Sequence, residues 1–169
     1  MKHETQETMN INKNNTLIEN PYDISSTPTI TAQSNASYLQ LRSLNKVPSF
    51  QFPGKMLSLL EKHKIPLLFM TSSSTSLSMI VKLDESDLPL IRPLLSQFAQ
   101  INFEKNISVV SITGETLQTT GRLERPAVEA LSSIPIFMIS HENSNHSLFM
   151  AIYDKDLEQA LYCLKKVLF

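Results

Sequence analysis

The chain repeats itself at a fixed spacing of 69 residues. Residues 65–71, Ile-Pro-Leu-Leu-Phe-Met-Thr, return as residues 134–140, Ile-Pro-Ile-Phe-Met-Ile-Ser, and the register holds through Asp87-Leu88 and Asp156-Leu157. A fixed period in a short chain indicates copies of one small folding unit. Because each copy alone has a marginal core, and two copies are too few for a solenoid, we expect a packed pair.

Composition excludes several classes of protein. The 169 residues carry a formal net charge of −1 and no basic stripe, which argues against a nucleic-acid partner. Cys163 is the only cysteine, so there is no internal disulfide, which fits a reducing compartment. The polar N-terminus lacks the apolar core of a signal peptide. No stretch approaches the ~20 apolar residues of a membrane span. These features predict a cytoplasmic protein without a membrane partner.

Periodicity predicts the same order of elements in both copies. In the first copy we expect a strand at 38–41, a loop at 46–53, a helix at 54–64, strands at 67–71 and 77–83, a helix at 87–100 kinked at Pro93, and a strand at 101–104. In the second we expect a strand at 108–113, a loop at 119–122, a helix at 123–132, strands at 136–140 and 147–153, and a closing helix at 156–169.

This order predicts an α+β fold of two ferredoxin-like βαββαβ modules, each an antiparallel sheet with helices on one face. The second copy lacks a last strand, which the β-prone run 27–32 could supply, and that would interleave the modules. The predicted domain boundaries are a disordered tail at 1–17, a linker with the completing strand at 18–36, and modules at 37–105 and 106–169.

Particular residues on this repeat resemble a known family. The first copy resembles the first ACT module of lysine-sensitive aspartokinases at Ser43-Leu44-Asn45, Ser49, Phe52, His63-Lys64-Ile65 and Thr71-Ser72-Ser73. Residues 112–117, 144–148 and 164–169 resemble the second module, and residues 18–23 resemble the end of the kinase domain. The resemblance is to the C-terminal regulatory region of aspartate kinase, with tandem ACT domains, and it spans about residues 18–169.

The resemblance implies regulation by binding and no catalysis by this chain alone. The kinase half is absent, and Gly54, Gly114 and Gly121 form no Gly-rich phosphate loop, so no site for phosphoryl transfer is expected. The implied partners are an amino-acid effector, a second copy in a C2 dimer, and an aspartokinase catalytic chain, with no cofactor. The tail at 1–15 does not resemble the end of a kinase domain, which favours a stand-alone start.

In this family, lysine binds between ACT modules of two chains, beside the loop after the first strand and the start of the second. The matching residues here are Lys46, Ser49, Gln51, Phe52, Pro53, Pro66, Leu67, Leu68 and Ser73. Four of them depart from the family: Leu68 replaces an acid, Gln51 a glycine, Lys46 a methionine and Pro53 a leucine.

The replacement of the acid by Leu68 carries most weight. Loss of one partner of a buried charge pair costs about 3–5 kcal/mol, at least a hundredfold in affinity at about 1.4 kcal/mol per decade. We therefore expect lysine binding to be weak or lost, while an uncharged amino acid could bind against Leu68. Lys46 could meet the ligand carboxylate, or it could be a solvated loop residue.

Other features admit simpler interpretations beside functional ones. The hydroxyl run 71–76 could form a polar lip on the ligand pocket or a solvated hairpin. His141 and His146 lack further ligands at metal-binding spacing, so a polar loop is the better interpretation. Cys163 lies beside an apolar helical stripe and is expected to be structural. The alternative function is a diverged ACT protein that binds no amino acid and serves as a structural or interaction partner. An independent enzyme is poorly supported.

Overall fold

The computed structural model describes residues 16–18, 28–114, 124–142 and 146–169, with the backbone alone described for 16–18. The strands are β1 Thr16–Ile18, β2 Thr29–Ser43, β3 Leu67–Ser72, β4 Ser76–Val81, β5 Ala99–Thr113, β6 Ile136–Glu142 and β7 Ser147–Tyr153. The helices are α1 Phe52–Lys62, α2 Leu88–Leu95, α3 Glu124–Ala130 and α4 Leu157–Leu168, which a single 3-10 turn, Asp154–Asp156, precedes. The predicted tail up to residue 15 and the predicted loop at 119–122 lie outside the described residues.

Two long strands are shared by the two halves of the molecule. Among the described residues the strands form one sheet in the order β3-β4-β2-β5-β7-β6, with β1 paired to β2, and every pairing is antiparallel. β2 and β5 are 15 residues long each and pair from Thr29↔Thr113 to Ser43↔Ala99. One half of each belongs to the sheet with β3 and β4, and the other half to the sheet with β6 and β7. The predicted α+β fold of interleaved ferredoxin-like modules is confirmed.

Each long strand bends near its middle. The sequence predicts separate strands at 27–32 and 38–41, but the structure joins them in β2, and β5 likewise joins two predicted strands. The register between β2 and β5 shifts around Ala36, and Asn35 and Asn106 have positive φ angles of 60° and 58°. Asn tolerates this left-handed conformation better than most residues, and a bulge lets a strand bend without ending.

The bend brings the helix-free faces of the two half-sheets together. α1 and α2 cover one half-sheet on its outer face, and α3 and α4 cover the other. A third core between the halves contains an aromatic cluster: Phe137 lies 5.2 Å from Tyr38 and 4.7 Å from Tyr153 between ring centroids, and Phe69 lies 5.9 Å from Phe149. The molecule is therefore layered as helices, sheet, sheet and helices, and its modules share one interior.

A lysine side chain fixes the bend of β2. Lys82 Nζ donates hydrogen bonds to the carbonyl oxygens of Ser34 at 2.6 Å and Asn35 at 3.3 Å. Burial lowers the pKa of Lys82, and the nearby carboxylates of Asp154 and Asp84 oppose that shift. The carbonyl groups that the bulge removes from the strand ladder thus gain a donor, as backbone acceptors away from water require.

Two element ends differ from the sequence expectation. The helix predicted at 87–100 ends at Leu95, because Ala99 begins β5 and pairs with Ser43. Pro89 stands in the first turn of this helix and Pro93 lies inside it. Residues 16–18 form β1, whereas the predicted tail extended to residue 17. No helix in the described ranges is both long enough and apolar enough to span a membrane.

Candidate functional site

The loop between β2 and α1, residues 44–51, presents several of the predicted ligand residues. Lys46, Ser49 and Gln51 are all exposed in it. The loop is anchored at its start, where the Asn45 N–H donates to Ser43 Oγ at 3.0 Å and Asn45 adopts a positive φ of 57°. These anchors hold the three exposed side chains on one end of the first module.

The next two predicted residues open α1 and are less accessible. Phe52 is fully buried in the core of the first module, and its neighbour Pro53 is half-buried in the first turn of the helix. Pro is well tolerated there because the first helical N–H groups have no partner within the helix. Phe52 therefore supports the loop from beneath, and its ring offers no open surface to a ligand.

The remaining predicted residues lie on and after β3, an edge strand. Pro66 and Leu67 are exposed at its start, and Leu68 is half-buried at a bulge in the β3–β4 ladder, packed against the core between the modules. Ser73 follows the other end of the strand. Its hydroxyl accepts from the Ser76 N–H at 3.1 Å, within its own turn.

The fold divides these residues into two groups. Because β2 and β3 both run antiparallel to β4, they point the same way, so the loop after β2 and Ser73 lie at the same end. The Ser43 N–H donates to the Thr75 carbonyl at 2.8 Å, which joins the two segments there. Pro66, Leu67 and Leu68 lie at the opposite end of β3, about 20 Å away at 3.3 Å per residue. One chain therefore does not gather all of the predicted residues into one pocket.

The two segments that carry the predicted ligand residues expose apolar side chains and contain no acid. Leu44, Phe50 and Leu67 are exposed by 45%, 81% and 39%. Residues 43–54 contain Lys46, and Lys64 directly precedes residues 65–76. Neither segment contains an Asp or a Glu. A ligand bound along this edge would meet apolar groups, hydroxyls and a cation, and no carboxylate from these segments.

Two further candidate residues are His141 and Cys163. No group of three or more His, Cys, Asp or Glu side chains that could hold a metal occurs in the described part of the chain. His141 Nε2 lies 3.3 Å from Glu124 Oε1, which links β6 to the start of α3. Cys163 is a free, half-buried thiol on α4.

The structure also contains a cavity that the sequence did not indicate. It has a volume of about 310 Å³ and lies on the helix-free face of the first module, lined by Gln40, Arg42, Gln100, Ile101 and Asn102. None of the predicted ligand residues lines it. Its signal in the sequence is the alternation of long polar side chains with apolar ones along β2 and β5, which predicts strands but does not predict a cavity.

The arrangement of the strands identifies the class of fold. Two ferredoxin-like units that share their long strands have the arrangement of tandem ACT domains. Neither a protein-family model nor a curated protein matches the sequence. Solved structures, in contrast, do resemble this chain.

Solved structures that resemble this chain include regulatory parts of aspartate kinase and a whole aspartokinase. A C-terminal regulatory domain of aspartate kinase from Porphyromonas gingivalis W83 superposes with a TM-score of 0.76 at 24% identity, covering 86% of this chain and 99% of that one. The regulatory subunit of aspartate kinase from Thermus thermophilus gives 0.71 at 18% identity, covering 86% and 99%. E. coli aspartokinase III gives 0.72 at 23% identity, but this chain covers only 33% of it. The chain has the fold of aspartate kinase regulatory domains; the lysine-sensitive type stays a prediction.

Proposed function

We propose that this chain is an amino-acid-sensing regulatory module or subunit of an aspartate kinase, which acts by binding and not by catalysis. The observation that carries the proposal is coverage. The chain spans 99% of two regulatory chains of aspartate kinase but 33% of a whole aspartokinase. The part of the fold that it shares with the longer enzyme is thus one that occurs elsewhere as a regulatory domain or subunit.

The divided site supports a twofold dimer. If two chains pair their β3 edges antiparallel, the start of one β3 lies beside the end of the other. Pro66, Leu67 and Leu68 of one chain then approach the β2–α1 loop and Ser73 of its partner, which completes the predicted site twice in a C2 assembly. The unpaired backbone groups of an edge strand favour such pairing, and exposed Leu67 adds apolar area to it.

The chemistry along this edge favours an uncharged amino acid over lysine. E. coli aspartokinase III has been solved with lysine and aspartate bound. Here Leu68 occupies the position at which the resemblance places an acid, and it packs against an apolar cluster. A lysine ammonium would lack its carboxylate partner, and burying an unpaired charge is costly. The α-carboxylate of an uncharged amino acid can still use Lys46 and backbone N–H groups.

A thermal-shift screen of the full chain against the common amino acids tests the proposal. A ligand that binds only the folded state must raise the melting temperature. We expect a rise with at least one uncharged amino acid and none with lysine, and calorimetry with lysine should give no micromolar binding. Micromolar lysine affinity would refute the assignment of the effector. No response to any amino acid would refute sensing and favour the alternative, a structural or interaction partner.

The proposal includes a catalytic partner chain. Aspartokinase has been solved as an assembly of alpha and beta subunits, and this chain would play the part of a regulatory subunit in the cytoplasm. Affinity purification of the tagged full chain from its own cells should bring down an aspartokinase chain. ATP-dependent phosphorylation of aspartate should appear in that complex; turnover by the purified chain alone would show that it is itself an enzyme.

Leu67→Asp should dissociate the proposed dimer. The substitution places a charge where the apolar Leu67 side chain would be buried against the end of the partner's β3, and burying a charge in that contact is costly. We expect sedimentation equilibrium to show a dimer for the wild type and a monomer for this variant. Leu90→Asp is the matched control, because Leu90 is 67% exposed on α2, away from the edge; it should remain a dimer. A monomeric wild type, or a dimeric Leu67→Asp variant, would refute pairing through β3.

A further inference from the structure

The cavity on the helix-free face of the first module contains an unpaired guanidinium. Arg42 is exposed, and its guanidinium makes no ion pair or hydrogen bond within the described part of the chain. Its register partner on β5 is Gln100, and the next pair on the same face is Gln40 and Asn102. Three carboxamide side chains therefore line the same cavity as one positive charge.

The nearest acid on this face of the strand pair is remote from the guanidinium. Glu104 pairs in register with Tyr38. It stands four residues along β5 from Gln100, about 13 Å away at 3.3 Å per residue. Ser78, on the neighbouring strand, supplies only a hydroxyl, 3.5 Å from Gln40 Nε2. The cavity thus combines one cation with neutral donors and acceptors.

The second module provides an internal comparison. Its two corresponding register pairs are Thr31↔Ser111 and Thr29↔Thr113, which occupy the same places relative to the bend. These are short hydroxyl residues, and Thr113 Oγ1 lies 2.9 Å from Ser147 Oγ, so the hydroxyl is already engaged. The same fold therefore requires neither a guanidinium nor carboxamides at these positions.

We propose that this cavity binds a small organic carboxylate with a single negative charge and an uncharged, polar body. A guanidinium matches the two oxygens of a carboxylate through paired N–H donors. Carboxamide groups offer both donors and acceptors to a hydroxyl or amide on the rest of the molecule. A volume of about 310 Å³ lies at the small end of ligand sites. This site is separate from the edge of β3, and the proposal does not depend on the proposed function.

The test is a titration of the isotope-labelled full chain, followed by backbone amide chemical shifts. The probes are L-lactate and D-glycerate, with lactamide as the neutral analogue and inorganic phosphate as the alternative anion. We expect saturable shifts at Gln40, Arg42, Gln100 and Asn102 with at least one carboxylate and none with lactamide. Shifts confined to the β2–α1 loop would support the effector site and overturn this one.

Two variants complete the test. Arg42→Gln should weaken binding by about tenfold or more, because it removes a charge-assisted bidentate contact. Arg92→Gln removes the same charge from an exposed position on α2 and should leave the affinity unchanged. Equal binding by Arg42→Gln, an equal response to lactamide, or a response to phosphate alone would overturn the proposal, as would no saturable shift at millimolar probe.

Discussion

Phe52→Ala is expected to lower the free energy of unfolding by about 3–5 kcal/mol, the usual cost of removing a buried phenylalanine side chain. Phe52 is fully buried and belongs to the same core cluster as Met56, Leu60 and Ile91. The measurement is urea unfolding at fixed protein concentration, followed by both far-UV circular dichroism and tyrosine fluorescence. Because β2 and β5 belong to both modules, the two probes should report one shared transition at a lower midpoint.

The control for this variant lies two residues earlier. Phe50→Ala removes the same side chain from a position that is 81% exposed, so its cost should stay within about 0.5 kcal/mol. Two separate transitions in Phe52→Ala would show that the modules unfold independently, and the shared-strand account would then be wrong. Equal costs for the two variants would contradict the burial of Phe52.

Phe137→Ala should lower the free energy of unfolding by about 2–4 kcal/mol, because it removes a half-buried ring and its favourable contacts with two other aromatic rings. Phe137 meets Tyr153 of its own half-sheet edge-on at 4.7 Å and Tyr38 of the other half-sheet at 5.2 Å between ring centroids. It also stands at the bulge of β6, where the register to β7 shifts between Ile136 and Met138. The same urea experiment measures the loss.

Tyr162→Ala provides the comparison for Phe137→Ala. Tyr162 is an aromatic residue on α4 that is 70% exposed, so its removal should change stability by no more than about 0.5 kcal/mol. A Phe137→Ala variant as stable as Tyr162→Ala would mean that the aromatic cluster does not hold the half-sheets together.

The repeat predicts most of the fold, because equivalent segments of the two copies pack in equivalent places. The Ile-Pro strands 65–71 and 134–140 became β3 and β6, and both carry a bulge at equivalent positions, Leu68 and Phe137. What the period of 69 missed is a second spacing of 71, which relates Asn35-Ala36-Ser37 to Asn106-Ile107-Ser108. These segments bend the two shared strands, and no glycine or proline marks the bend. Local propensity therefore predicts that a strand ends there, whereas β2 and β5 each continue through the bend.

The candidate site was less predictable, because it depends on which residues are buried and on how segments distant in the sequence lie relative to each other. The resemblance chose Phe52 and Leu68 by position along the chain, and the structure buries the first and half-buries the second. Sequence spacing cannot show that the β2–α1 loop lies at the Ser73 end of β3 and not at the Pro66 end, or that the proposed pairing of two chains would bring the two groups together. The Arg42 cavity depends on cross-strand register, which a single sequence does not display.

We propose above all that an amino acid binds between two copies of this chain at the β3 edge. This proposal is tested most directly by the melting temperatures of the wild type and Leu67→Asp, each with and without the amino acid found in the screen. At a hundredfold excess over Kd, the wild type should gain about 2.7 kcal/mol, or roughly 5–10 °C. Leu67→Asp should gain almost nothing, because its site is incomplete. An equal gain in both proteins, or none in the wild type, would contradict the account.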